Sequence, residues 1–400
     1  MKAKPSLWTS YRQGSIGSII EWYDFSLYAF FASVIAKKFF HTGSYDTNIT
    51  LVYLLFAASF IARPVGAVIY GYIGDKFGRK PALLISVSTM AICSFLIGCI
   101  PSYESIGMTA TVILVILRIL QGISDGGETA GAYVYVLEFA PPKRKGLMGG
   151  AIWAMVVIGV LLASGVSTLI HMSLPSDQLL DWGWRLGFWI SGILGIAIFY
   201  MRYRMHETEP FNAENKQSKS SLFVLFCQNW KVFITSFFII SLGANYFYTF
   251  FIYLVGMMIH HFHIPASTSL GYNSLGLFIF IVSLVVFGWI FDYLPRVWMS
   301  IIAAVVMIIY TIFAFYGLGE PNVAHFTLFL IQAGIAIIIG AQLCCVPSFL
   351  VDMVPPTIRY SMVSISYNLS FAIFGGFAPL IATRIFTDTH DIRDISWMLY

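Results

Sequence analysis

Charge is scarce in this chain of 400 residues: 10% are Asp, Glu, Lys or Arg, against 58% hydrophobic, with a mean hydropathy of +0.80. A soluble domain carries about 25% charged residues, so a water-dispersed fold is excluded for want of polar surface. Cysteine is also sparse. Cys93, Cys99, Cys227, Cys344 and Cys345 lie in apolar runs without framework or ligand spacing, which excludes a disulfide scaffold and leaves packing as their expected role. The basic excess is small, 23 Lys and Arg against 19 Asp and Glu, and spread over short loops, so no nucleic-acid partner is implied. No nucleophile with an adjacent base and no metal-ligand spacing appears, and His260, His261 and His263 lack a Cys or carboxylate companion. Neither an enzyme nor a cofactor is expected. Met1–Arg12 before an apolar stretch suggests a signal peptide, but Glu21 and Asp24 lie inside the stretch and no small-residue cleavage site follows, so the first helix is expected to be retained.

What the chain has in abundance is apolar runs of spanning length. They fall at about 14–38, 50–73, 81–101, 108–139, 147–171, 185–204, 229–260, 267–292, 297–318, 322–352 and 360–386. Without period-2 alternation, a barrel is excluded and helices remain, because a backbone in hydrocarbon must satisfy its own polar groups. The fold class is therefore all-α and polytopic, with eleven spans and a twelfth that begins near Ile395 and is truncated by Tyr400. Lys2, Lys4 and Arg12, then Lys76, Arg79 and Lys80, then Lys143, Arg144 and Lys145 mark one face as cytoplasmic and place the N-terminus inside. Lys37 and Lys38 go against this trend.

The long polar stretch from Arg202 to Ser221 follows the sixth span and reads as a connector. It divides the chain into an N-terminal bundle (1–204), a cytoplasmic linker (205–226) and a C-terminal bundle (227–400) whose last helix is incomplete. Gly71, Asp75 and Arg79 recur with the same spacing as Gly288, Asp292 and Arg296, the signature of two related halves. Such architectures place substrate between the halves near mid-membrane.

The run Gly71-Tyr-Ile-Gly74-Asp75-Lys-Phe-Gly78-Arg79-Lys80-Pro81 resembles the signature loop of the major facilitator superfamily. Further runs resemble its metabolite:proton symporter family, which includes proline/betaine, α-ketoglutarate, shikimate and citrate transporters: Glu21-Trp22-Tyr23-Asp24-Phe25, Arg63-Pro64-Val-Gly66, Arg118-Ile-Leu-Gln121-Gly122 with Gly126-Gly127-Glu128, Asp181-Trp182-Gly183-Trp184-Arg185, Glu207-Thr208, and Ile358-Arg359-Tyr360-Ser361 with Tyr367-Asn368. The likeness covers about residues 12–400. It implies two pseudo-symmetric six-helix bundles, a bacterial inner-membrane location, a monomer, and protons and a small metabolite as partners. By the same resemblance Arg118 is linked to proton coupling. Three departures stand out: Pro295 where the first half has Gly78, Asp125 at a position usually small or apolar, and the missing twelfth span.

An ionisable group in mid-span costs about 2.5–3.5 kcal/mol even on the lenient scale, so it marks a cavity or a partner. Glu21 and Asp24, three apart, are expected to share a helical face and hold a proton between them; the alternative is that either pairs with Arg63 or Arg118 as structural glue. Arg118, Gln121, Asp125 and Glu128 follow steps of three, four and three and are expected to form one polar stripe. In the second half Asn245, Tyr246, Tyr248, Tyr253, Gln332, Gln342 and Asn368 offer uncharged substrate contacts. Gly71, Asp75, Gly78, Arg79, Glu138 and Arg144, with Asp292, Arg296 and Arg359, are expected to form a gating network at the inner mouth. These features favour a proton-coupled importer of a zwitterion or of a carboxylate anion over a non-transporting membrane sensor or remnant, and disfavour a membrane-embedded enzyme.

Overall fold

The structure, a computed structural model, describes residues 6–208, 227–319 and 324–399. In chain order the helices are α1 (Leu7–Phe30), α2 (Ala32–Phe39), α3 (Tyr45–Lys76), α4 (Arg79–Cys99), α5 (Tyr103–Ile106), α6 (Met108–Phe139), α7 (Lys145–Ser173), α8 (Ser176–Gln178), α9 (Trp184–Tyr203), α10 (Trp230–Tyr248), α11 (Leu254–His260), α12 (Ala266–Phe291), α13 (Arg296–Leu318), α14 (His325–Leu343), α15 (Val346–Met353), α16 (Arg359–Ser370) and α17 (Ala378–Thr389). Among the described residues nine helical stretches are each long and apolar enough to cross a membrane, and α1 with α2, bent by 66°, makes a tenth. The eleventh expected span is irregular: α16 continues through a π-helical turn at Phe371–Gly375, and α17 follows after Gly376 and Phe377.

Contacts divide the chain into two compact units. Unit 1 comprises Met1–Phe139, Met155–Gln228 and Val354–Asn368; unit 2 comprises Ala140–Ala154, Asn229–Met353 and Leu369–Tyr400. The units thus exchange a segment from each half of the chain. Most of the expected linker, residues 209–226, lies outside the described residues.

In unit 1, α6 packs on α1, α3 and α4, and α4 packs on α9. The α3–α6 crossing requires glycine on both helices. A Cβ on Gly126 would overlap the Arg63 carbonyl, one on Gly122 the Ser59 backbone, and one on Gly66 the Ile123 carbonyl, so the backbones touch as small-residue helix pairs do in lipid. Beside this crossing Tyr23, Leu27, Phe31, Ile35, Trp184 and Phe188 form a buried core. Lys38, which broke the charge rule, pairs with Asp181 at 3.4 Å, so its charge is met locally.

In unit 2, α12 packs on α14, and α13 on α14. Backbones meet again where Gly288 of α12 faces Gly146 of α7, each within van der Waals reach of the other's carbonyl. Of the cysteines, Cys93, Cys344 and Cys345 are buried as expected of packing residues, whereas Cys99 and Cys227 are exposed. That expectation is corrected for two positions: Cys99 and Cys227 lie at helix ends, where the pattern of apolar residues does not reveal which face points inward.

Candidate functional site: buried charges of the first unit

Eight charged residues are buried as a whole among the described residues, and all belong to unit 1: Glu21, Asp24, Arg63, Arg79, Arg118, Asp125, Glu128 and Arg202. They resolve into separate networks. Glu21 accepts Arg63 Nη2 at 3.0 Å through Oε1, and the Thr129 amide at 3.0 Å and hydroxyl at 2.5 Å through Oε2. The same Arg63 Nη2 donates to Asp125 at 3.2 Å. Its guanidinium carbon also lies 5.6, 5.1 and 5.1 Å from the rings of Trp22, Phe25 and Phe60, an aromatic setting that favours a cation.

Asp24 points elsewhere. It accepts the Ser94 hydroxyl, Ser94 Oγ accepts Gln121 Nε2 at 2.7 Å, and Gln121 Oε1 accepts Arg118 Nη1 at 2.9 Å. Every donor in this chain is aimed from Arg118 toward Asp24. Arg118 is 2% exposed, its guanidinium carbon stands 4.0 Å over the Tyr28 ring, and its Nε and Nη2 have no hydrogen-bond partner among the described residues. No carboxylate pairs with it there either. A buried guanidinium with open donors is costly unless something fills them.

Glu128 forms a third, closed set. Arg202 reaches it through two bonds, at 2.8 and 2.5 Å, and spends its remaining donors on the carbonyls of Gln13, Gly14 and Leu83, while Ser86 donates to Glu128 at 2.7 Å. This pair ties α1, α4, α6 and α9 together. Arg202 was placed at the start of the polar connector on sequence grounds; its position in the last turn of the sixth apolar run was the available signal.

Glu21 with Asp24 on α1, and Arg118 to Glu128 on α6, keep the expected helical spacing and are all buried, but their hydrogen bonds go to different partners. The helical arithmetic is sound, but ten residues of α6 rise about 15 Å, so each level meets a different neighbouring helix. Of the second-half candidates, Asn368 falls in unit 1 and donates to the Gly126 carbonyl at 2.7 Å and Ser364 carbonyl at 2.9 Å. In unit 2, Asn245 donates to the Met398 carbonyl at 2.9 Å, Tyr246 meets the Thr311 hydroxyl at 3.2 Å, and Gln332 donates to Asn273 at 2.7 Å.

Each unit also holds a polar latch at the end bearing the basic loops. In unit 1, Arg79 donates to Asp75 at 3.4 Å, to Glu138 at 3.1 Å and to the Pro356 carbonyl at 2.9 Å, and Arg359 reaches Glu138 at 2.9 Å. Asp75 accepts the amides of Tyr360 and Ser361, both at 2.9 Å, and so caps the N-terminus of α16. Gly71 lies against Ser361 with no room for a Cβ, and Gly78 turns the chain at φ +114°, a conformation glycine adopts freely. Glu207 caps α4 in the same way, accepting Arg79 N at 3.0 Å and Lys80 N at 3.1 Å; burial holds its carboxyl above the usual range.

Unit 2 repeats the device. Asp292 accepts the amides of Gly146 at 2.7 Å and Leu147 at 3.0 Å, capping α7, and Lys145 pairs with Asp352. The side chain of Arg296 lies outside the described residues. Arg144 is exposed and makes no ion pair among the described residues, so Lys145 takes the place expected for it. A second internal repeat, unnoticed on the sequence, explains why: Glu138-x-x-Pro141-Pro142-x-x-Lys145 matches Asp352-x-x-Pro355-Pro356-x-x-Arg359. The pairs are reciprocal, Glu138 with Arg359 and Asp352 with Lys145.

Residues 14–379 match the family model of the Major Facilitator Superfamily. The chain belongs to that superfamily. Within it, the chain is 30% identical over 400 residues to the proline/betaine transporter of Escherichia coli (strain K12), covering 94% of this chain and 77% of that protein. It is also 30% identical over 378 residues to the citrate-proton symporter of Klebsiella pneumoniae, covering 94% and 84%. In structure it resembles the superfamily's proton:xylose symporter XylE bound to 6-bromo-6-deoxy-D-glucose, with a TM-score of 0.79 at 16% identity, covering 98% and 92% of the two chains. The fold is thus the all-α fold of the superfamily.

Proposed function

We propose that the chain is a proton-coupled symporter that imports a small polar metabolite by alternating access, with a zwitterion such as proline or betaine as the first candidate. The observation that carries this reading is the directed chain from Arg118, with two open donor positions, to Asp24. While Asp24 is ionised, it holds Ser94, Ser94 holds Gln121, and the Gln121 carbonyl occupies Arg118. A proton on Asp24 releases the first link, the hydroxyl and amide turn, and Arg118 is freed for a substrate carboxylate. Proton and anion then favour each other's binding, and the coupling is reciprocal.

Charge counting supports the same step. With Glu128 and Arg202 cancelling, Glu21, Asp24 and Asp125 face only Arg63 and Arg118, so one proton brings the remaining set to neutrality. The cationic end of a zwitterion would lie on an aromatic face. A di- or tricarboxylate or shikimate-like anion is the second reading, favoured by the open donors of Arg118 and by the name of the Klebsiella relative. The bias of Lys and Arg toward one set of loops supports a cytoplasmic N-terminus in a bacterial inner membrane, and a monomer suffices for the scheme.

The test is uptake into proteoliposomes under an imposed inward proton gradient, with proline, betaine, α-ketoglutarate, shikimate and citrate as competitors. Accumulation of one of them that collapses with the gradient is the expected result. No gradient-driven flux of any would favour a non-transporting sensor, and uphill transport surviving both Arg118→Ala and Asp24→Asn would remove the assigned roles.

A further inference from the structure

A separate cavity of about 640 Å³ opens within unit 2 and is lined by Lys143, Arg144, Leu147, Trp289, Asp292 and Tyr293. Its chemistry is unlike that of the buried charges. Lys143 and Arg144 are both exposed on a short helical turn before α7, and neither makes an ion pair among the described residues. Across from them Trp289, at 54% exposure, and Tyr293, at 75%, stand one helical turn apart, with ring centroids 5.6 Å from each other. Asp292 contributes the cavity's carboxylate, but its two oxygens accept the amides of Gly146 and Leu147.

We propose that this cavity binds the headgroup of an anionic phospholipid from the leaflet facing the basic loops. Three features fix the class of ligand. Two adjacent cations without acid partners call for a phosphate-sized anion, and Arg144 can grip it with two parallel bonds. The exposed Trp and Tyr mark the depth at which headgroups meet acyl chains. The cavity closes the end of α12, an apolar spanning helix against which a lipid tail can lie, and basic pockets at such positions select anionic lipids. Asp292 serves the site by fixing the start of α7, and with it the turn that presents Lys143 and Arg144.

The experiment uses the full chain in nanodiscs of phosphatidylcholine alone or with phosphatidylglycerol, reading retained lipid by native mass spectrometry and unfolding by melting. Retention of phosphatidylglycerol over phosphatidylcholine is expected. Lys143→Gln with Arg144→Gln should cut that preference by about tenfold or more, whereas the charge-matched pair Lys37→Gln with Lys231→Gln should leave it. Lys143→Arg with Arg144→Lys, which keeps both charges, should retain most of it and shows that the cut is not a folding failure. Equal retention by the wild type and the Gln pair would overturn the proposal. So would an equal preference for phosphatidylcholine, or protection by free glycerol phosphate to the same degree as by the lipid, which would make the site one for a soluble anion.

Discussion

Unit 1 and unit 2 solve the problem of polarity in oil in opposite ways. Unit 1 buries eight charged residues on helices that run regularly past them, whereas the buried polar residues of unit 2 among the described residues are all uncharged, and its helices are locally irregular at Thr249–Tyr253, at Cys344–Cys345 and at Phe371–Gly375. Charge demands rigid partners, since a misplaced carboxylate costs several kcal/mol. A widened helical turn instead frees backbone carbonyls that hydroxyls and amides can use, as Gln332 does with the Phe250 carbonyl at 3.1 Å. The comparison teaches that titration belongs to the first unit and adaptable hydrogen bonding to the second.

The sharpest way to break that contrast is to remove one partner of the closed pair. Glu128→Gln leaves Arg202 buried against carbonyls alone and should destabilise the chain by about 3–5 kcal/mol. Melting in detergent measures it, and Arg202→Met added to Glu128→Gln should recover much of the loss. Next in size, Arg118→Ala or Asp24→Asn should lower gradient-driven uptake by about 100-fold or more, while the melting temperature stays closer to wild type than in Glu128→Gln. A uniform loss of stability across all three would mean that unit 1 holds only glue. Asp75→Asn and Asp292→Asn should each cost about 1–2 kcal/mol through the lost helix cap, and the two should add, since they share no hydrogen-bond partner.

Smaller effects belong to unit 2 and to the loops. Asn245→Ala should shift the apparent affinity for substrate by about fivefold without uncoupling transport from protons; loss of coupling there would erase the division of labour. Glu207, with its folded-state carboxyl raised by burial, contributes most below the ordinary carboxylate range and less as pH rises through its folded value. Glu207→Gln should therefore flatten the fall in melting temperature on the alkaline side of that range.

The all-α fold, most of the spans and the mid-span charges were legible, because hydropathy and residue type need no partner to be read. Which acid meets which base was not. Glu21, Asp125 and Glu128 look alike on a helical wheel, and only the neighbours at each depth decide that one is shared, one is bridged and one is sealed. Arg202 was hidden by its nearness to the polar connector, while the pairing of Lys145 with Asp352 is encoded in the duplicated Pro-Pro motif, whose two copies differ in every charged residue.

The reciprocal pairing of Glu138 with Arg359 and Lys145 with Asp352 has a bearing on biogenesis. Glu138 has Arg79 of its own half beside Arg359 of the other, whereas Asp352 meets its counter-charge in Lys145 of the other half, so the second half has the greater need of its companion. Severed within 209–226, the second piece should survive the cell's membrane proteases only when made together with the first.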